Sequence, residues 1–127
     1  MEKDFDGWNS VKKEVNKKEF SDYIHEREVW WCSLGVNIGF EQDGKNKLFE
    51  RPVLILRKFN KHTVLVIPLS SKVKNGPYDF PYIHEKREYV ALLSQIRLIS
   101  TKRLLRLSYW MDTTIFEIIK NEVKEMI

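Results

Sequence analysis

The chain has one cysteine among its 127 residues, and only four prolines and five glycines. A single thiol, Cys32, excludes an internal disulfide framework, and no Cys/His spacing resembles paired zinc ligands. Long apolar runs are also missing. Nothing approaches the ~18 consecutive apolar residues needed to span a bilayer. The opening residues MEKDFDGWNS are acidic and lysine-bearing, without the apolar stretch of a signal peptide. A cytoplasmic protein with no membrane partner is therefore expected. No internal repeat, low-complexity tract or Pro/Gly/Ser linker divides the chain. His25, His62 and His84 fall at element ends, with no spacing that marks a catalytic pair or a metal site. Neither a metal nor a cofactor is expected.

What is present describes one globular domain. Apolar residues make up 43% and charged residues 31%, enough to build a core without staples. The net charge of +4 is unevenly spread. Residues 43–107 hold fourteen basic and five acidic side chains, whereas residues 1–42 and 108–127 are each net acidic. A basic middle between acidic flanks is the footprint of a polyanion binder, although a solvated lysine-rich surface gives the same pattern.

Hydrophobic periodicity sets the elements. Trp8, Val11, Val15, Phe20, Tyr23 and Ile24 recur at roughly helical spacing, which predicts an accessory helix over 8–24. From Glu28 the pattern changes to strands: 28–34, 52–57, 63–69, 78–83, 89–93, 95–99 and 104–110. Pro68, late in its run, predicts an edge or a bulge. Loops are expected at 37–50, 59–62 and 72–77. The chain closes with a helix capped by Asp112 or Thr113, its apolar stripe formed by Ile115, Ile118, Ile119, Val123 and Met126. The expected class is mainly β: a small, strongly bent antiparallel sheet or barrel with a C-terminal helix and an N-terminal helical extension.

Three places could carry chemistry. Arg51 opens a strand, and its planar fork of donors could hold two phosphate oxygens; a strand cap beside Glu50 is the plainer reading. Ser70 and Ser71 end the next long strand, where a hydroxyl could meet a phosphate or simply mark the exit to a loop. Gln95 and Arg97, two apart in a strand, would share one face and could read a base and its phosphate, with Ile96 and Leu98 facing the core. A polar outer face accounts for the same spacing. Cys32 reads as a small core residue, and one of Trp30 and Trp31 as core, the other as an interface or a stacking surface.

Taken in order, several segments resemble one family. They are Glu28-Val29-Trp30, Asn37-Ile38-Gly39-Phe40-Glu41-Gln42, Arg51-Pro52-Val53-Leu54-Ile55, Ile67-Pro68-Leu69-Ser70 and Gln95-Ile96-Arg97. The set is similar to the MazF/PemK/Kid toxins of bacterial type II toxin–antitoxin systems, over residues 27–127 beyond a 1–26 extension. The resemblance implies an SH3-like barrel working as a homodimer, with a cognate antitoxin as partner. It implies a sequence-specific, metal-independent endoribonuclease acting on single-stranded RNA and mRNA. Arg51 and Ser70 then fall on the family's catalytic arginine and threonine. The RNA-binding residues expected with them are Gln42, Lys45, Lys72, Gln95 and Arg97, the last two in a region that contacts RNA or the second subunit. Ser70 departs from the usual threonine, Phe40 from a small polar residue, and the loop before Arg51 is longer by about Lys45–Phe49. Two other functions fit the same residues: a non-catalytic RNA-binding barrel, and a same-fold toxin that poisons DNA gyrase.

Overall fold

In the computed structural model, residues 3–20, 23–35, 37, 43–44, 49–72 and 74–127 are described. They form helix α1 (Phe5–Asn16), strands β1 (Glu28–Ser33), β2 (Glu50–Lys58), β3 (Thr63–Ser70), β4 (Asp79–His84), β5 (Arg87–Leu92), β6 (Arg97–Ser100) and β7 (Leu104–Trp110), and helix α2 (Thr113–Met126). Short 3-10 turns at Leu93–Gln95 and Thr101–Arg103 flank β6. All recorded strand pairs are antiparallel, in the order β4-β5-β3-β2-β1-β7, with β6 also on β3. The mainly β class and the terminal helix are as the sequence predicts.

The central strands are buried on both faces. Leu54 and Leu56 of β2 join Ile67 and Leu69 of β3 in one cluster, which α2 covers with Phe116, Ile119 and Val123. The alternating residues Val53, Ile55, Val64 and Val66 fill a second cluster with Cys32, Leu34, Ile99 and Leu104. Two-sided burial is why both strands read as continuous apolar runs rather than as an alternation. Each fully buried side chain of this size contributes about 1.5–3 kcal/mol, so the β2–β3 hairpin anchors the fold.

Strands β5 and β6 are two halves of one partner for β3. Ala91 lies opposite Leu69, and Arg97 lies opposite Val66. The break at 93–96 faces Ile67 and Pro68, and a proline there has no N–H to offer a ladder. This is the irregularity that Pro68 predicts. It corrects the expected strand 95–99: the chain turns through Leu93–Gln95, with Leu93 N–H on Tyr78 O at 3.0 Å, before β6 resumes at Arg97.

Two helix expectations also change. The first helix ends at Asn16 rather than 24. Asp4 caps its start through Gly7 N–H at 2.8 Å. Beyond it, Lys18 Nζ donates to Leu104 O at 2.9 Å and Phe20 meets the His62 ring edge-on at 4.3 Å. These contacts with the barrel replace further helical turns. In α2, capped by Asp112, Ile118 is 42% exposed, and Phe116, at 5%, takes its place in the buried stripe.

The edge strands β4 and β7 meet through side chains. The Tyr82 and Tyr109 hydroxyls are 2.9 Å apart, and the His84 ring stacks on Tyr109 with centroids 3.7 Å apart. The curled sheet is thus closed by aromatic contacts rather than by a recorded β4–β7 ladder.

Candidate active site

Arg51 lies in the second residue of β2, paired with Cys32 of β1. Its side chain is 8% exposed. Nε donates to Asp43 O at 2.7 Å and Nη1 donates to Leu69 O at 3.2 Å. Burial lowers the guanidinium pKa and the nearby Asp43 opposes that shift. An arginine starts so high that it remains a cation at neutral pH. Two backbone carbonyls from different segments therefore fix one planar cation in one orientation.

That cation borders a cavity of about 340 Å³. Strand β1 contributes Trp31, β2 contributes Glu50 and Pro52, and β3 contributes Leu69 with Ser71 just beyond it. Arg87 and Tyr89 come from β5, and Ser108 and Tyr109 from β7. The lining combines the aromatic rings of Trp31, Tyr89 and Tyr109 with the cations Arg51 and Arg87. Arg106 forms a two-pronged pair with the Glu50 carboxylate at 3.0 and 3.1 Å, and its guanidinium lies 5.1 Å from the centre of the Trp31 ring. The hydrogen bond to Glu50 raises the Arg106 pKa. Such a surface suits a segment of single-stranded polyanion, with bases on rings and phosphate on guanidinium.

The candidate residues divide unevenly around this cavity. Arg51 lines it. Ser70 is buried beside it, its hydroxyl accepting from Lys72 N–H at 3.1 Å, while Ser71 is the serine on the wall. Because that bond uses a lone pair, the Ser70 proton stays available for donation. Lys72 is exposed at the exit of β3. Gln42 and Lys45 lie outside the described residues.

Gln95 and Arg97 are not neighbours on one strand face. Gln95 belongs to the 3-10 turn and Arg97 to β6, opposite Val66 of the second core cluster. The Arg97 charge acts on Cys32 and Arg103, on that same side of the sheet. Ile99 is buried and Leu98 is 56% exposed, the reverse of the expected alternation for Leu98. A turn ending at 95 breaks the period of two that the sequence argument relied on.

Several wall residues were missed by reading the sequence. Arg87 and Tyr89 carry a local signal, since residues two apart in a strand share a face. Ser108 and Tyr109 carry none, because only the curl of the sheet brings β7 to β5. His84 stacks behind Tyr109 rather than lining the cavity, and His25 stacks on Trp110. Among the described residues, no group of three His, Cys, Asp or Glu could hold a metal. Cys32 is fully buried, and loss of solvation pushes its thiol up to about 12. It is a core residue. No helix of the described residues is long and apolar enough to cross a membrane.

The profile of the family described as PemK-like, MazF-like toxin of type II toxin-antitoxin system matches residues 25–127. The chain belongs to this family. Solved structures agree at the level of the fold. The MazF of Deinococcus radiodurans (form I) is 18% identical with a TM-score of 0.66, covering 86% of this chain and 97% of that one. The Mycobacterium tuberculosis toxin MazF-mt6 is 15% identical with a TM-score of 0.57, covering 78% and 94%. An endoribonuclease from Mycobacterial species, solved in complex with its cognate antitoxin, is 13% identical with a TM-score of 0.59, covering 80% and 92%. A search of curated protein sequences gave no match. The toxin's α1 lies before the matched residues 25–127.

Proposed function

We propose that this toxin is a metal-independent endoribonuclease that cuts single-stranded RNA. The observation that carries the reading is Arg51, a buried cation held by two backbone carbonyls at the wall of a cavity that aromatic rings also line. In the proposed reaction the ribose 2′-oxygen loses its proton and bonds to the adjacent phosphorus, and the bond from phosphorus to the 5′-oxygen breaks. The 5′-oxygen takes up a proton. The products are a 2′,3′-cyclic phosphate and a 5′-hydroxyl. This chemistry needs in-line geometry, proton transfer and stabilisation of charge on the phosphate oxygens, and no metal is obligatory for it. Arg51 supplies the charge stabilisation, since its pKa makes it a poor proton acceptor. The Ser70 hydroxyl, at the end of β3, donates to a non-bridging oxygen. Arg87 on the wall and the exposed Lys72, next to Ser71, bind neighbouring phosphates, and Tyr89 and Trp31 offer stacking surfaces for bases.

Gln95 and Arg97 lie apart from this wall. With the exposed Leu98 on β6, whose recorded strand partner is β3 alone, they fit a contact between two copies of the chain, and a homodimer is part of the proposal. The remaining partner is a small antitoxin that competes with RNA for the cavity. The test is direct. Purified toxin incubated with a panel of single-stranded RNAs should release fragments ending in cyclic phosphate and beginning with 5′-hydroxyl. Arg51→Ala should cut at least about 10²-fold more slowly, the loss expected when a donor to developing charge is removed. Binding without cleavage across the panel would instead mark a non-catalytic RNA-binding barrel, and intact RNA with a blocked gyrase reaction would mark a gyrase poison.

A further inference from the structure

Helix α1 reaches the catalytic arginine through the connection between β1 and β2. The connection is pinched at its base: Leu34 and Gly35 N–H both donate to Phe49 O, at 3.0 and 3.1 Å, and Gly44 N–H donates to Gly35 O at 2.7 Å. Trp8 of α1 is buried on top of this pinch. Its ring lies 5.8 Å from that of Phe49 and directly over Gly35, where a Cβ would come within 2.2 Å of the indole. Gly35 also has a φ of +88°, so glycine is required there on two counts. One helical side chain thus touches both ends of the connection.

A second tie comes from Lys3, just before the helix. Its ammonium lies 3.0 Å from the Asp43 carboxylate and also donates to Asn37 O. The same carboxylate accepts from Asn37 N–H at 2.7 Å. The backbone carbonyl of Asp43 is the acceptor for Arg51 Nε. Asp43 is therefore a junction: its side chain faces Lys3 and its main chain holds the guanidinium. Removing Lys3 takes away the contact between the α1 segment and this junction, while the Asn37 N–H bond to the carboxylate remains.

We propose that α1 is a positioning element for the ribonuclease site, with Lys3 and Trp8 holding the β1–β2 connection so that Asp43 aims Arg51 at the phosphate. The proposal rests on the ribonuclease reading for its catalytic consequence, and on geometry alone for its structural one. A guanidinium displaced by about an ångström can cost on the order of 10²-fold in rate. Substrate contacts in the cavity are made by other strands, so the loss should fall on kcat rather than on KM.

The experiment uses the full chain with Lys3→Ala, Trp8→Ala and Trp8→Phe, read in two ways. Steady-state cleavage of one RNA oligonucleotide should show kcat reduced about 10- to 100-fold in Trp8→Ala with KM nearly unchanged. Lys3→Ala should show a smaller loss of the same kind, and Trp8→Phe should restore most of the activity. In an Asp43→Ala background, Lys3→Ala should cost less than it does in the parent, because the Lys3–Asp43 contact is already gone and only the bond to Asn37 O remains to be lost. The second readout is the Nε–H resonance of Arg51, assigned with Arg51→Lys. It should be protected from solvent exchange in the parent and exposed in Lys3→Ala, a partly exposed site whose change leaves the fold intact. If Arg51 Nε–H and kcat are the same in parent, Lys3→Ala and Trp8→Ala, the inference is overturned. A rise in KM alone would overturn it equally, by making α1 an RNA-binding surface. A parent protein that cuts no RNA would sink the ribonuclease reading, while the resonance still decides the positioning.

Discussion

Ser70 and Ser71 are adjacent in the chain yet sit in different surroundings, one buried under the strand end and the other on the cavity wall. If Ser70 is the catalytic hydroxyl, Ser70→Ala should lower kcat by about 10²-fold or more, the usual cost of removing an aimed donor. Ser71→Ala should mainly raise KM, and steady-state kinetics on one RNA would separate them. The opposite ranking would move the catalytic role to Ser71. Sequence placed a hydroxyl at this strand end because a β-branched run stops there, but it could not choose between neighbours that burial distinguishes. Arg51 was legible for a related reason. A charged residue that opens a continuous apolar strand must sit at a boundary. Its two carbonyl acceptors were not legible, since Leu69 and Asp43 are distant in sequence or lie in an irregular connection.

The elements were read best where a period survived unbroken. Helix α2 has one, strands β2 and β3 have an unbroken apolar run in its place, and each of the three falls within two residues of its expected limits. Helix α1 and the 95–99 run failed because tertiary contacts cut the period short: Lys18 and Phe20 bind the barrel, and the turn at 93–95 lets the chain step past Pro68. Within α2 the assignment of faces is open to measurement. Phe116→Ala should cost about 3–5 kcal/mol, because it empties a buried aromatic site between the helix and the sheet. Ile118→Ala should stay within about 0.5 kcal/mol, as expected for a solvent-facing position. Urea unfolding monitored by tryptophan fluorescence would rank the two. Equal losses would mean that α2 is rotated relative to the sheet, or that another molecule covers Ile118.

For the whole molecule, the sequence predicts a strongly bent sheet or barrel but not the residues that close it, because closure joins side chains from the two ends of the strand order. The Tyr82–Tyr109 contact at that seam also sets an alkaline limit on stability. Burial raises the pKa of both phenols above the ordinary 10.0, and it raises Cys32 from 9.0 to about 12. Above these ordinary values the unfolded chain releases protons that the folded chain retains. The unfolded state then binds fewer protons, and stability falls as pH rises. From these groups, stability should be level up to about pH 8 and decline from about pH 9 upward, with the steeper part above 10. Thermal unfolding across this range checks it. Tyr82→Phe should flatten the decline above pH 10 even though it lowers stability at neutral pH.

The position of Cys32 gives the molecule an internal clock. The chain's one sulfhydryl lies between β2 and β7, opposite Arg51 on one side and Leu104 on the other. A thiol reagent can reach it only after β1 parts from a neighbour, and the thiolate that would react scarcely forms while the strands stay together. The labelling rate of the unaltered protein therefore counts partings of β1 from β7 or from β2, and the β1–β2 pair is the one that carries the guanidinium. A bound RNA or antitoxin that clasps this pair would slow the count without any probe being added.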